Sequence, residues 1–330
     1  MKFESVGKRV TLIIVIVLIF LGFTIFFNIV SLINSNQGLE QYKKLSDQTN
    51  NLSELERYFF NASLTLKDYI ISYEELYKEA FIGNITNIKT FFENSQKFII
   101  TNNLQEFIEN YEILFQQIVD LNNKKEILVN EHFYIISNDL KDYFTEFKVK
   151  AEESGSSWLN FYCDNSTQLI DSIAELASIF FSSKSAGDKN SVLEAFKELD
   201  SQVFVIQYGL ETDELRKTFT EIQNYIAEFN NTFNQIVEAI ESQDPIIQEM
   251  EQLRVEILNL LEEQRAQLKE QQDTLGPQLI EKNNNSILLT IILTVIAFVV
   301  AIIMVIYLIR SITKPLLELR NKINQLKKET

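Results

Sequence analysis

The chain has 330 residues, with 30 Lys and Arg against 46 Asp and Glu, a net charge of −16 at pH 7. A chain this acidic is not built to neutralise phosphates, so nucleic acid is not an expected partner. Its single cysteine, Cys163, excludes an intrachain disulfide, and with His132 as the only histidine there is no ligand set for a zinc site.

In chain order, residues 1–9 carry Lys2, Lys8 and Arg9 against Glu4. Residues 10–33 (VTLIIVIVLIFLGFTIFFNIVSLI) hold no charge and, at about 1.5 Å per residue, suffice to cross about 30 Å of hydrocarbon. This run is longer than the apolar stretch of a signal peptide and no small-x-small cleavage site follows it, so it reads as an uncleaved anchor. A second charge-free run occupies 287–309. Beyond it, 310–330 carries Arg310, Lys314, Arg320, Lys322, Lys327 and Lys328 against Glu318 and Glu329. Basic flanks at both ends predict a two-pass membrane protein in contact with lipid, both termini cytoplasmic and residues 34–286 outside. The outer part then holds 21 basic and 43 acidic residues, a net of −22. A solvated helical surface accounts for most of that charge.

Residues 34–286 carry the helical period almost throughout. Leu215, Phe219, Ile222, Ile226, Phe229, Phe233, Ile236 and Ile240 recur at alternating threes and fours, as do Leu52, Leu55, Phe59, Ala62, Leu66, Tyr69 and Tyr73. Glycines at 83, 155, 187, 209 and 276 mark expected breaks. The predicted helical segments are about 34–80, 82–100, 103–153, 156–183, 188–209, 212–241 and 244–286. TNN at 101–103 and ETD at 211–213 offer N-caps, SGSS at 154–157 is a break, and SQDPIIQEM reads as a hairpin turn with Pro245 at the first helical position. The longest segments, about 45 residues, reach on the order of 65 Å, and the shorter ones cover only part of that height. The expected fold is all-α: two transmembrane helices flanking an extended helical ectodomain of two stacked four-helix bundles.

The tail RSITKPLLELRNKINQLKKET, 310–330, repeats Ile312, Leu316, Leu319, Ile323 and Leu326 at spacings 4, 3, 4, 3, a seam that needs a partner helix. With its Pro-Leu-x-x-Leu after a membrane helix, RSITKPLLELRNKINQL resembles the first helix of a HAMP domain, a parallel four-helix unit formed by dimers of bacterial receptors. The connector and second HAMP helix do not follow, so the chain is expected to be the front of a longer receptor or a truncated gene product, with its output module missing. An all-helical stretch of this length, ending in QQDTLGPQLIEKNNNS before the second apolar run, resembles the helical bimodular sensor domain of some chemoreceptors and sensor kinases. The resemblance implies a homodimer in the bacterial cytoplasmic membrane, a small-molecule ligand of the organic-acid class, and signal relay through Pro315, Leu316, Leu319 and Ile323. Methyl-accepting and kinase outputs both remain open.

A carboxylate ligand calls for arginine, whose fork binds it bidentately. The outer segment has four: Arg57, Arg216, Arg254 and Arg265. Arg216 and Arg254 each follow a stripe leucine and flank a seam. Arg57 lies opposite the Leu52–Leu55–Phe59 seam, facing solvent unless Phe60 and Leu64 form a second buried stripe. Asn61, one turn on, and Gln264, beside Arg265, would complete a site. For each arginine the plainer reading is a surface ion pair. His132 reads as solvated or structural, no catalytic constellation or phosphate loop is present, and no cofactor is expected; an enzyme is the least expected class. A membrane-anchored coiled-coil scaffold without a ligand is the alternative to a receptor, and it has no need of a HAMP-like tail.

Overall fold

A computed structural model describes residues 6–94 and 102–326. Among them every regular element is helical: α1 (Val6–Ser72), α2 (Glu75–Asn94), α3 (Asn102–Ile127), α4 (Tyr134–Glu153), α5 (Leu159–Ser183), α6 (Ala186–Tyr208), α7 (Asp213–Glu241), α8 (Gln243–Leu308) and α9 (Lys314–Leu326). Single π-helical turns, Leu128–Phe133 and Ile309–Thr313, join α3 to α4 and α8 to α9.

The chain divides into two units, 1–56 with 261–330 and 57–260. Residues 34–56 and 261–286, expected to belong with the ectodomain, are grouped with the apolar segments. In the first unit, α1 and α8 run antiparallel. Thr290 Oγ1 donates to Asn28 Oδ1 (2.7 Å), Gln272 Nε2 to Thr49 Oγ1 (3.0 Å) and Arg265 Nη2 to Glu56 Oε2 (2.6 Å), so numbers rise along one helix as they fall along the other. Both helices contain an 18-residue window long and apolar enough to span a membrane, and almost none of either window is buried within the chain. Exposed Leu12, Ile19, Phe26, Ile291, Phe298 and Ile303 would be an aggregation hazard in water and suit lipid.

The second unit has two aromatic-rich clusters. In one, α1, α2 and α3 converge through Phe59–Tyr111 (5.4 Å between ring centres), Tyr69–Phe115 (5.3 Å) and stacked Phe81–Phe115 (3.9 Å). From α8, Met250 and Ile257 are buried. In the other, Phe133 of the π-turn stacks on Phe229 of α7 at 4.6 Å, Phe196 of α6 meets Phe229 at 5.2 Å, and Phe180 of α5 meets Phe233 at 5.9 Å. Each buried phenylalanine is worth about 1.5–3 kcal/mol of transfer energy. The eight-residue stripe read along α7 is buried in full.

Local signals explain most helix ends. The Thr212 and Ser185 hydroxyls accept from the amides of Leu215 and Asp188 as N-caps. Gly155, with φ +79°, turns the chain between α4 and α5. Gly209 ends α6 where a Cβ would lie 2.3 Å from the Trp158 indole. Two expected breaks are absent. Gly83 lies inside α2, and Gly276 with Pro277 lies inside α8. One glycine costs a helix only about 1 kcal/mol, and buried Phe81 and Ile85 flank Gly83. The break expected near Gly83 falls instead at Tyr73, with φ 56°, so Tyr73 leaves the α1 stripe and forms the turn. Neither long helix ends at the edge of its apolar run: α1 and α8 continue without interruption past residues 33 and 287.

Candidate functional site

Along α8, Met250, Arg254 and Ile257 follow at spacings of four and three, so Arg254 shares the inward face with two buried residues. Its side chain is 25% exposed. The guanidinium is held as a fork: Nε donates to Glu251 Oε2 at 2.8 Å and Nη2 to Glu251 Oε1 at 2.5 Å. That pairing pulls the Glu251 carboxyl below its ordinary pKa and lifts Arg254 above its own; the positive charge of Lys67 on α1 adds to the effect on Glu251.

Tyr111 of α3 lies in the core within electrostatic reach of this pair. It is fully buried, and its hydroxyl has no hydrogen-bond partner among the described residues. Burial pushes the phenol up to about 12, with the Ser63 hydroxyl and Arg254 pulling the other way and Glu251 adding to the rise. Ser63 commits its own proton to the Phe59 carbonyl at 2.9 Å and stops short of bonding geometry with Tyr111. A guanidinium fork, a neutral phenol and a nearby ammonium are a donor set for a carboxylate, and Glu251 currently fills the fork.

The other predicted residues do not gather here. Arg57 is exposed, with its guanidinium 5.0 Å from the Tyr58 ring centre, and Asn61, Phe60 and Leu64 are exposed too. Arg216 clasps the Leu210 carbonyl (Nε 3.3 Å, Nη2 3.2 Å) and Asp213 Oδ1 (3.4 Å), tying down the turn before α7. Arg265 pairs with Glu56, whose carboxyl is raised by burial against the pull of Arg265. Gln264 beside it is half-buried. In the tail, Ile323 is exposed, whereas the side chains of Ile312, Pro315, Leu316, Leu319 and Leu326 lie outside the described ones. His132 is exposed in the first π-turn. No cluster of His, Cys, Asp or Glu among the described residues suits a metal.

Sequence reasoning passed over Tyr111, Ser63 and Lys67. The available signal was the α3 stripe Leu104–Ile108–Tyr111–Phe115–Ile118, in which a tyrosine at a core position implies a buried hydroxyl. The chain matches no protein-family model and no curated protein.

Proposed function

We propose that this chain is the membrane-anchored input part of a transmembrane receptor that senses a small extracytoplasmic organic acid. In this reading the two apolar windows span the cytoplasmic membrane of a bacterium, both termini are cytoplasmic, and the clusters of the second unit are two stacked four-helix bundles. The observation that carries it is Arg254: a cation on the inward face of a helix, beside an unclaimed buried phenol, in a domain otherwise rich in carboxylates. An anion gains in such a domain only where donors outnumber the surrounding acids, and this reading counts on Arg254, Lys67 and the Tyr111 hydroxyl as those donors. α8 runs as one helix from Gln243 to Leu308, and in this reading the signal passes along it from Glu251 to the second apolar window. The shift available is limited to the ligand's differential affinity for the two states of that helix. The HAMP-like tail α9 then passes the change to an output module in a homodimer. A ligand-free scaffold remains the second reading, and it is favoured by the bidentate Glu251–Arg254 pair if that pair is merely structural.

The test uses the full chain. Reporter fusions after Lys8, near Ser156 and at Thr330 read the topology; export of a reporter at Thr330 refutes it. Acetate and succinate are then added to protein in micelles during thermal melting. A probe at 100 times its dissociation constant stabilises the folded state by about 2.7 kcal/mol. Binding that survives Arg254→Ala rules out this site, and no binding of either acid leaves the scaffold reading.

A further inference from the structure

Three turns of the second unit meet at one side chain. Tyr73, between α1 and α2, and Lys184, which caps α5, have φ of 56° and 55° and are the two non-glycine residues in the left-handed region among the described residues. Bulky residues rarely adopt that conformation without tertiary support. Here they support each other: Tyr73 Oη accepts from Lys184 Nζ at 2.5 Å and donates to Gln243 Oε1, also at 2.5 Å, at the start of α8. Lys125 of α3 completes the group. Its Nζ lies 4.7 Å from the Tyr73 ring centre, against 4.4 Å for Lys184 Nζ.

One buried donor in this group is left without an acceptor. Lys125 is 8% exposed at its side chain and pairs with Glu126 at 2.9 Å. Gln243 is 2% exposed, yet its Nε2, which carries two N–H groups, has no hydrogen-bond partner among the described residues. Buried amides in folded proteins are bonded as a rule. Lys184 is exposed, while Gln243 and Lys125 are buried. Glu126 pairs with Lys125, and the charge of Asp244 acts on Lys184.

We propose that this cluster around Tyr73 binds a small oxyanion, held by Lys184, Lys125 and the Gln243 Nε2 group. An oxyanion supplies acceptors and brings no donors, and an acceptor is what Gln243 Nε2 lacks. Its seat shares no residue with the site proposed at Arg254. Occupancy would link the α1–α2 turn, α3, the α5 cap and the start of α8 through one ligand.

The test is titration calorimetry on the full chain in micelles, with acetate and inorganic phosphate as separate probes. Lys184→Asn removes the ammonium while keeping a residue that tolerates φ near 55°, so it is expected to fold. The expected result is binding of at least one probe, weakened about tenfold or more in Lys184→Asn at unchanged helix content, and unaffected by Arg254→Ala. Lys125→Met, at the buried position, should weaken the same probe; if it does not fold, Lys184→Asn alone decides. No heat with either probe overturns the proposal, as does a folded Lys184→Asn that binds as the unaltered chain does. Binding lost only in Arg254→Ala also overturns it, and assigns the anion to the first site instead.

Discussion

Replacing Tyr111 by phenylalanine separates a buried donor held ready for a ligand from one already satisfied. The ring stays, so its contacts with Phe59 at 5.4 Å and Phe81 at 5.8 Å are kept and no cavity opens. Only the hydroxyl is lost, and it has no partner among the described residues. A buried unsatisfied hydroxyl costs about 1–3 kcal/mol of desolvation, so Tyr111→Phe is expected to stabilise the ligand-free protein by about that amount. In a unit of this size each kcal/mol moves Tm by about 2–4 °C. Circular dichroism melting of the full chain in micelles reads the shift. An acid bound at Arg254 loses the same hydroxyl as a donor and is expected to bind about tenfold more weakly to the variant. Greater stability with weaker binding is the signature of a site kept strained for function. A fall in Tm refutes the reasoning, because the hydroxyl then has a partner in solution, Ser63 being the nearest candidate.

Phe133→Ala empties the place where the π-turn meets α7 and is expected to cost about 3–5 kcal/mol. Fluorescence of Trp158, the only tryptophan, follows this in urea from within the same unit. The Glu251–Arg254 pair carries a pH dependence of known sign. Since the folded Glu251 carboxyl lies below its ordinary 4.5, the pair's contribution is complete above that value and lost as pH falls through the lowered one. The difference in Tm between the unaltered chain and Glu251→Gln is expected to shrink on acidification; a difference that does not change with pH counts against the pair. Ile323→Cys, in a Cys163→Ser background, is expected to crosslink between chains in membranes, because exposed Ile323 lies on the tail seam. Its failure to crosslink argues against a tail dimer.

What was readable from the sequence divides along a physical line. A stripe of apolar residues reports the face of its own helix, and so α7 could be read residue by residue. Arg254 could be ranked for the same reason: its place relative to Met250 and Ile257 is set by its own helix. Tyr73 looked like the next residue in the α1 stripe because nothing within a few residues marks a left-handed turn there. Its support comes from Lys184, 111 residues on, and Gln243, 170 residues on. Lys125 sits between exposed Lys124 and exposed Glu126 and reads as surface charge, yet it is 8% exposed at its side chain. Gly83 misled in the opposite direction, since a local preference of about 1 kcal/mol gives way to the packing of Phe81 and Ile85 beside it, whereas Gly276 with Pro277 has no such buried neighbour on α8. The unread residues are those whose partners lie on other elements, and both candidate anion sites depend on them. In an acidic helical domain the local pattern places most cations on solvated faces. A cation drawn inward by distant contacts departs from that pattern, and it departs where a negatively charged ligand has something to gain.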